Sequence, residues 1–395
     1  MALLPFGGGL QKAQANTLYA PNNAYAYNCT ESSLYWWRIA YEKLRNGLQD
    51  AKIMAIGDSI SFGVNSGSNT SEYYSNGWPV QLAKMFSIQQ PNYVPSQLTL
   101  SIPNLPSNSD DRWSYTAPFT NNVGGPWGVV NQCHAVSSSG WSGSSGTVTF
   151  NPSQAANLPI TCDSFDIYTV DNTAGGNGTF SCSVNGGTAQ TFTLTGNNGL
   201  AIHNVTCPSA STSNSVVIQA TDNTKTSVIV AIEPRLSTKF QLRIGNPSSP
   251  GAPASQWFST VTTIGNTSGL GIVQTFSPSL AIILLGTNDG NALETPATFQ
   301  ADMQAGITFI KTALPQCSIL LLSSVPTNTA ATQALLIQYQ PVYQALALAN
   351  NCAYIDIFNG RFAGTYDTNW INGFHPYGWG YGDMANTIYN VLTNA

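Results

Sequence analysis

Charged side chains are scarce in this sequence. Asp, Glu, Lys and Arg make up only 8% of the 395 residues, against the ~25% that is usual in globular domains. The formal net charge is −5, and no cluster of Lys and Arg is present that would neutralise a row of phosphates. Nucleic acid is therefore not expected as a partner.

Long apolar runs and metal-binding patterns are missing as well. No apolar run approaches the ~18 residues of a membrane span. The first nine residues lack the basic start and apolar core of a secretory signal, so neither a membrane nor the general export route is expected. No CxxC pair and no cysteine–histidine spacing typical of zinc occurs, so no metal and no cofactor is expected. The seven cysteines are Cys29, Cys133, Cys162, Cys182, Cys207, Cys317 and Cys352.

Three of these cysteines, Cys162, Cys182 and Cys207, fall within one β-rich stretch. Two of the three could be bridged by a disulfide. Because the total is odd, at least one thiol stays free in a monomer. The cysteines therefore do not identify a compartment.

Strand and helix patterns alternate near both ends of the chain. Apolar residues at helical spacing predict a helix over 32–48, followed by a strand ending at Ile56 and a helix over 78–86. The alternation resumes after residue 239 and predicts a parallel sheet covered by helices on both faces. The later strands are predicted at 240–244, 280–285, 318–323 and 353–357, and the later helices at 254–263, 297–314, 333–349 and 382–392.

Between these α/β parts the pattern changes to short alternating segments separated by turns such as Asn185-Gly186-Gly187. Such segments are typical of antiparallel strands in a β-sandwich. We therefore predict an irregular N-terminal arm over 1–30, a discontinuous α/β domain over 31–94 and 238–395, and an inserted, sandwich-like or jelly-roll-like all-β module over 95–237. The arm is a candidate attachment segment.

Chemically active residues follow three of the predicted elements of the α/β domain. Active sites in parallel sheets form at the carboxyl ends of the strands, so we expect these residues to meet. Ser59 is the candidate nucleophile and needs a base to take its proton. His134 and His203 lie in the inserted module, so His375 is the candidate base. The three motifs are Gly57-Asp58-Ser59, Gly286-Thr287-Asn288-Asp289 and Phe374-His375-Pro376.

The order of these motifs resembles the SGNH hydrolase family, also called GDSL esterases, over about residues 50–90 and 238–395. The resemblance implies a three-layer α/β/α fold and serine-dependent ester hydrolysis. It also implies an oxyanion hole built from the Ser59 amide, the Asn288 side chain and a glycine amide. We prefer Gly251 as that glycine because it follows a predicted strand and leads into a helix. Gly143 is the second choice, since a strand-like segment follows it.

One position departs from the family pattern. The family has an aspartate three residues before its histidine, and this sequence has Asn372 there. Its amide oxygen could accept a hydrogen bond from His375, or a backbone carbonyl could do so and leave a serine–histidine dyad; Asp367 could also approach. Without a carboxylate the imidazolium is less stabilised, so we expect a lowered rate. Asp58 and Asp289 are expected to fix loops.

Aromatic residues predicted near the site suit the flat faces of sugar rings, although ordinary core packing explains them equally well. Those selected as substrate-binding residues are Trp257, Tyr377 and Trp379. SGNH enzymes with an inserted β-sandwich resemble carbohydrate O-acetylesterases, including those on bacteriophage tails. The resemblance implies an acetylated capsule or O-antigen as substrate, a virion or extracellular location, and tail proteins as partners of the arm, with a homotrimer as a compatible state. A noncatalytic glycan-binding adhesin and a secreted esterase or lipase are the alternatives.

Overall fold

The structure is a computed structural model that describes residues 25–67, 76–89, 96–100, 113–116, 120–121, 134–137, 147–151, 160–171, 179–193, 199–221, 226–248, 250–259 and 269–394. Its helices are α1 (Tyr35–Arg45), α2 (Ser59–Phe62), α3 (Trp78–Gln89), α4 (Ala254–Ser259), α5 (Gly269–Phe276), α6 (Thr287–Asn291), α7 (Pro296–Ala313), α8 (Ala330–Ala349), α9 (Ile357–Gly360) and α10 (Gly378–Asn394). None of the described helices combines the length and hydrophobicity needed to span a lipid bilayer.

The strands are β1 (Ala26–Tyr27), β2 (Ala51–Gly57), β3 (Ser96–Leu100), β4 (Trp113–Thr116), β5 (Thr120–Asn121), β6 (His134–Ser137), β7 (Thr147–Phe150), β8 (Cys162–Asp171), β9 (Thr179–Val184), β10 (Gln190–Thr193), β11 (Gly199–Ser211), β12 (Val216–Ala220), β13 (Thr226–Arg235), β14 (Leu242–Asn246), β15 (Leu280–Leu284), β16 (Ser318–Leu322), β17 (Ala353–Ile355), β18 (Ile371–Asn372) and β19 (His375–Pro376).

The centre of the molecule is a parallel sheet. Strands β17, β16, β15, β2, β14 and β3 lie side by side in that order and pair in parallel. The short strand β1 adds to β17 in the antiparallel direction. Because parallel strands direct their carboxyl ends to one edge, the loops after β2, β14 and β15 open onto the same side. The predicted parallel α/β sheet is confirmed.

Both faces of this sheet are buried, as the nearly unbroken apolar strands predict. Along β15, Ala281 and Ile283 point into one core, together with Trp257 and Phe299 from the helices on that side. Leu280, Ile282 and Leu284 point into the other core, which helices α1, α3 and α10 cover. The result is the expected three-layer α/β/α arrangement.

The β-rich region is joined to the central sheet. Strand β3 pairs in parallel with β14 and in the antiparallel direction with β13, which in turn pairs with β6 and β8. Among the described residues, twelve strands thus form one mixed sheet. A second, antiparallel sheet in the order β10, β9, β12, β7, β4 packs its Phe180 and Ile218 against Phe165 and Ile167 of β8. The division at residues 95 and 237 stays a prediction.

A buried ionic cluster joins the β-rich region to the α/β core. Arg243 on β14 donates to both carboxylate oxygens of Glu233 on β13, at 2.7 and 2.5 Å. The hydroxyl of Tyr168 on β8 donates to Glu233 as well, at 3.0 Å. Asp50, just before β2, lies 2.9 Å from Arg235 and 3.4 Å from Arg243. Each charge in this cluster therefore has a partner of opposite sign.

Replacing Glu233 by Gln should destabilise the fold by about 3–5 kcal/mol, because Glu233 is fully buried and its loss leaves the Arg243 charge poorly compensated. The free energy of unfolding in urea measures this. The control is Glu42→Gln, which breaks an exposed pair with Arg45 and should cost no more than about 1 kcal/mol. Equal losses in the two variants would show that the buried cluster carries no special weight.

Candidate active site

The candidate nucleophile lies directly after the central strand β2. Asp58 caps helix α2, and its Oδ1 accepts a hydrogen bond from the Ile60 amide at 2.9 Å. Gly57 passes so close to β15 that a Cβ there would lie 2.9 Å from the Leu284 carbonyl oxygen. The backbone therefore turns at a glycine, and Ser59 becomes the first residue of the helix, partly exposed at the sheet edge.

The candidate base reaches this serine from a hairpin near the C-terminus. Strands β18 and β19 pair Asn372 with His375 across a turn in which Gly373 has φ +65°, a conformation that favours glycine. Nε2 of His375 lies 2.8 Å from Oγ of Ser59. Two residues 316 positions apart are thereby in hydrogen-bond contact. In this geometry the hydroxyl can pass its proton to the imidazole as the oxygen attacks a carbonyl.

The environment of the imidazole keeps it neutral. Burial lowers the pKa of His375 to about 4. Asn372 is exposed and stands opposite His375 in the hairpin. Within the described part of the chain, no hydrogen bond connects its amide to the imidazole. Asp367 accepts hydrogen bonds from Asn369. The third-member role of Asn372 therefore stays a prediction, and the contact that is present is a serine–histidine pair.

Asn288 lies between the serine loop and the loop of Gly251. Asn288 is the second residue of α6, which begins after Gly286. Gly286 has a φ of +128° and packs against the Tyr343 hydroxyl, so a side chain would not fit there. Nδ2 of Asn288 donates to the Ala252 carbonyl at 3.2 Å and to Oδ2 of Asp58 at 3.4 Å. The side-chain amide expected in the oxyanion hole is thus held at the edge where Ser59 lies.

The loop of Gly251 is anchored by the residue that follows Asn288. Asp289 is fully buried, and its Oδ1 accepts a hydrogen bond from the Ala254 amide at 2.8 Å, where α4 begins. Burial raises the pKa of Asp289 to about 7, and that of Asp58 likewise to about 7. Gly251 itself is exposed, with φ +82°. The expectation that Asp58 and Asp289 fix loops is confirmed.

The prediction for Trp257 is wrong. This residue was predicted to bind substrate, but its side chain has no exposed surface and lies in the core, so it cannot stack on a sugar. Its indole N–H donates to the Gly57 carbonyl at 2.9 Å.

Two further residues that support the serine loop were not predicted from the sequence. Asn246 donates to the Ser61 carbonyl at 2.9 Å, and the Trp78 indole donates to the Ser61 hydroxyl at 3.2 Å. Asn246 is a polar residue at the carboxyl end of a parallel strand, and this position in the sequence could have identified it as a residue near the site.

Tyr377 and Trp379 follow the histidine hairpin and form an aromatic pair. Their rings stack with centroids 5.0 Å apart and planes inclined by 30°. Trp379 is 58% exposed, and its indole N–H donates to the Asn369 carbonyl at 2.9 Å, which fixes the ring. An ordered, open aromatic face therefore lies close to His375 along the chain.

The remaining candidates lie elsewhere. His203 is 3.1 Å from the Thr169 hydroxyl and packs against Phe180 and Phe192, within the β-rich region. His134 is part of β6 in the same region. Gly143 falls outside the described residues. In the portions of the chain that the structure describes, no group of three or more His, Cys, Asp or Glu is arranged to hold a metal ion.

Residues 251–382 match the model of the GDSL-like lipase/acylhydrolase family. The matched segment includes Gly251, Asn288 and His375. Ser59 lies earlier in the chain, directly after strand β2, and joins these residues through its hydrogen bond with His375. The chain carries a GDSL-like lipase/acylhydrolase domain. The family resemblance is thereby confirmed for the segment that holds the Asn288 and His375 motifs, and the Gly57-Asp58-Ser59 motif precedes that segment.

One solved structure extends the likeness in fold from the GDSL-like domain to the β-rich region. A structure of a peptidoglycan O-acetylesterase is 15% identical with a TM-score of 0.66, covering 96% of this chain and 100% of that one. A putative GDSL-like lipase from Parabacteroides merdae is 20% identical with a TM-score of 0.34, covering 38% and 73%. A family two carbohydrate esterase from Clostridium thermocellum is 11% identical with a TM-score of 0.32, covering 70% and 97%. No curated protein matches the chain. The fold is SGNH-like.

Replacing Asn372 by Asp in the GDSL-like domain should raise the pKa of His375, because directly paired residues of an antiparallel hairpin face the same side and a carboxylate there stabilises the imidazolium. We expect the acid limb of the kcat/KM profile to move up from about pH 4 by about 1–3 pH units, with a higher kcat at pH 8. Hydrolysis of an aryl acetate from pH 3 to 9 measures both.

The matched control is Asn351→Asp, which adds the same charge before β17, at the opposite end of the sheet. It should leave the profile unchanged. An acid limb that stays near pH 4 in Asn372→Asp would mean that position 372 does not act on the imidazole.

Proposed function

We propose that this GDSL-like acylhydrolase is a serine esterase that removes O-acetyl groups from a bacterial surface polysaccharide. The observation that carries the proposal is the 2.8 Å contact between Ser59 Oγ and His375 Nε2. Asn288 lies at the same sheet edge and links the serine loop to the loop of Gly251. A nucleophile, a neutral base and an amide donor are the groups that acyl transfer requires.

In the proposed reaction Ser59 Oγ attacks the acetyl carbonyl while Nε2 of His375 takes the hydroxyl proton. The developing oxyanion receives hydrogen bonds from the Ser59 and Gly251 amides and from Nδ2 of Asn288. Nδ2 donates to Asp58 at 3.4 Å, the longer of its two bonds, and this bond is the one to exchange for the oxyanion. His375 then returns the proton to the sugar oxygen as the ester bond breaks, and water releases acetate from Ser59 by the same steps.

Three observations support a glycan as the acyl carrier. Trp379 presents an open ring that Tyr377 and the Asn369 carbonyl hold in place, and flat aromatic faces suit sugar rings. A structure with the same fold over 96% of this chain bears the name of a peptidoglycan O-acetylesterase. The β-rich region continues the sheet that carries the site, which offers a broad surface for a long chain of sugars.

Acetate release from acetylated capsular polysaccharides measures the proposed activity. Ser59→Ala should reduce kcat by about 10⁴-fold or more, because without the hydroxyl no acyl-enzyme forms. Trp379→Ala should raise KM for polysaccharide about 10-fold and leave kcat/KM for a small aryl acetate unchanged. Tyr366→Phe removes a hydroxyl that accepts a hydrogen bond from the Gly373 amide. It is the control for effects that arise from a loosened β18–β19 hairpin. Glycan binding without acetate release would instead indicate the adhesin.

The setting within this proposal is a bacteriophage tail, in which the N-terminal arm contacts other tail proteins, with a homotrimer as a compatible state. The low charge and the abundance of Ser, Thr, Asn and Gly support a virion surface protein. The last residues of the arm predicted over 1–30 are anchored in the fold, because Ala26 and Tyr27 pair with β17 and Asn28 donates to the Cys352 carbonyl at 2.9 Å.

A deletion of residues 1–24 should therefore leave the esterase intact and abolish incorporation into virions. Particle-bound protein after phage assembly, set against aryl acetate turnover of the purified chain, measures this. A deletion of residues 1–30 is the contrasting variant, since it also removes strand β1 and the buried Cys29 and should reduce stability. Normal incorporation of the shorter deletion would rule out the arm as the docking segment.

A further inference from the structure

Two cysteines of the β-rich region lie against each other. Cys162 begins β8 and Cys207 lies within β11, and these strands form an antiparallel pair. Both thiols are free, and each lies close enough to shift the pKa of the other. Both belong to the core between the two sheets, with exposures of 0% and 7%. Cys182 on β9 belongs to the same core.

The fold itself brings the two sulfurs together. Thr206 pairs with Ser164 and Ser211 pairs with Cys162, so β11 makes an irregularity of several residues opposite Asp163. The side-chain amide of Asn214 fastens this irregularity by donating to the Cys162 carbonyl at 2.7 Å and to the Ser209 carbonyl at 2.8 Å. Cys207 is the first residue after the regular pairing ends, and it is thereby held beside Cys162.

We propose that Cys162 and Cys207 form a disulfide when the protein meets an oxidising, disulfide-containing environment. The two thiols lose two protons and two electrons, and a small disulfide such as oxidised glutathione gains them and leaves as two thiols. Cys207 attacks first, because it is the more exposed of the pair and sits where the strand pairing is interrupted. One glutathione thiol leaves, and Cys162 then displaces the second.

The surroundings of the two thiols favour this order of events. The neighbouring Cys162 thiol lowers the pKa of Cys207, so Cys207 is the thiol that more readily becomes the attacking thiolate. The neighbouring Cys207 thiol and burial raise the pKa of Cys162. Burial also raises the pKa of Cys182, which keeps that third thiol protonated and unreactive.

The cross-link closes a loop of roughly 45 residues between β8 and β11 and so restricts the unfolded chain. Ser164, two residues after Cys162, pairs with Arg235, which contacts Asp50 at the amino-terminal end of β2. Ser59 follows the carboxyl end of that strand, so the cross-link changes no residue of the carboxyl edge. We therefore expect a more stable protein with unchanged esterase activity. The inference does not depend on the proposed substrate.

The test uses the full chain purified under reduction and then incubated with oxidised glutathione. Alkylation and peptide mass mapping should show one Cys162–Cys207 linked pair and five remaining thiols of the seven. The melting temperature should rise on the order of 5 °C, with the same aryl acetate turnover. Cys182→Ser, which replaces the third thiol of the same core, should form the cross-link as the parent does.

Cys207→Ser should show neither the linked peptide nor the oxidant-dependent rise, and Cys162→Ser should behave alike, with a glutathione adduct accumulating at Cys207. Far-UV circular dichroism verifies that each variant is folded. Quantitative alkylation of Cys162 and Cys207 after exposure to the oxidant, or a linked peptide that contains Cys182, would overturn the proposal.

Discussion

Strand β2 is bonded in parallel to β15 on one side and to β14 on the other, and the placement of the nucleophile and of the oxyanion-hole candidates depends on this arrangement. Because the three strands end at one edge, the loops that carry Ser59, Asn288 and Gly251 emerge side by side. Gly57 makes the contact between β2 and β15 tight enough that no side chain fits there. The apolar residues of β2 and β15 are buried on both faces, so helices cover the sheet that carries these loops.

The base is held by a separate device, a two-residue turn that sets His375 over the serine. Helix α10 begins just after it, and the Tyr381 hydroxyl donates to the Val64 carbonyl at 2.8 Å, so the C-terminal segment and the serine loop are fastened together. The imidazole is kept neutral by burial. With an amide at position 372, the histidine can act as a base at neutral pH, while its cation receives no carboxylate from that position.

The β-rich region is an extension of the catalytic sheet. Arg243 in the α/β core is paired with Glu233 in the extension, and removing either charge would leave the other buried. The outer sheet packs on this extension through an apolar core that contains three cysteines. The described strands between β3 and β13 therefore stay in fixed relation to the site.

The sequence by itself determined the strand and helix alternation, the parallel sheet and the choice of Ser59, Asn288 and His375, because the periodicity of apolar residues and the motifs at strand ends are local signals. Helix α5 and strand β11 were not predicted. The helix is a short apolar run and the strand is interrupted by an irregularity, so neither shows a clear periodicity of apolar residues. Only the tertiary structure decided that Trp257 supports the serine loop instead of facing substrate, that β3 joins the central sheet, and that Cys162 meets Cys207. These outcomes depend on which distant surfaces pack together, and no local pattern encodes that.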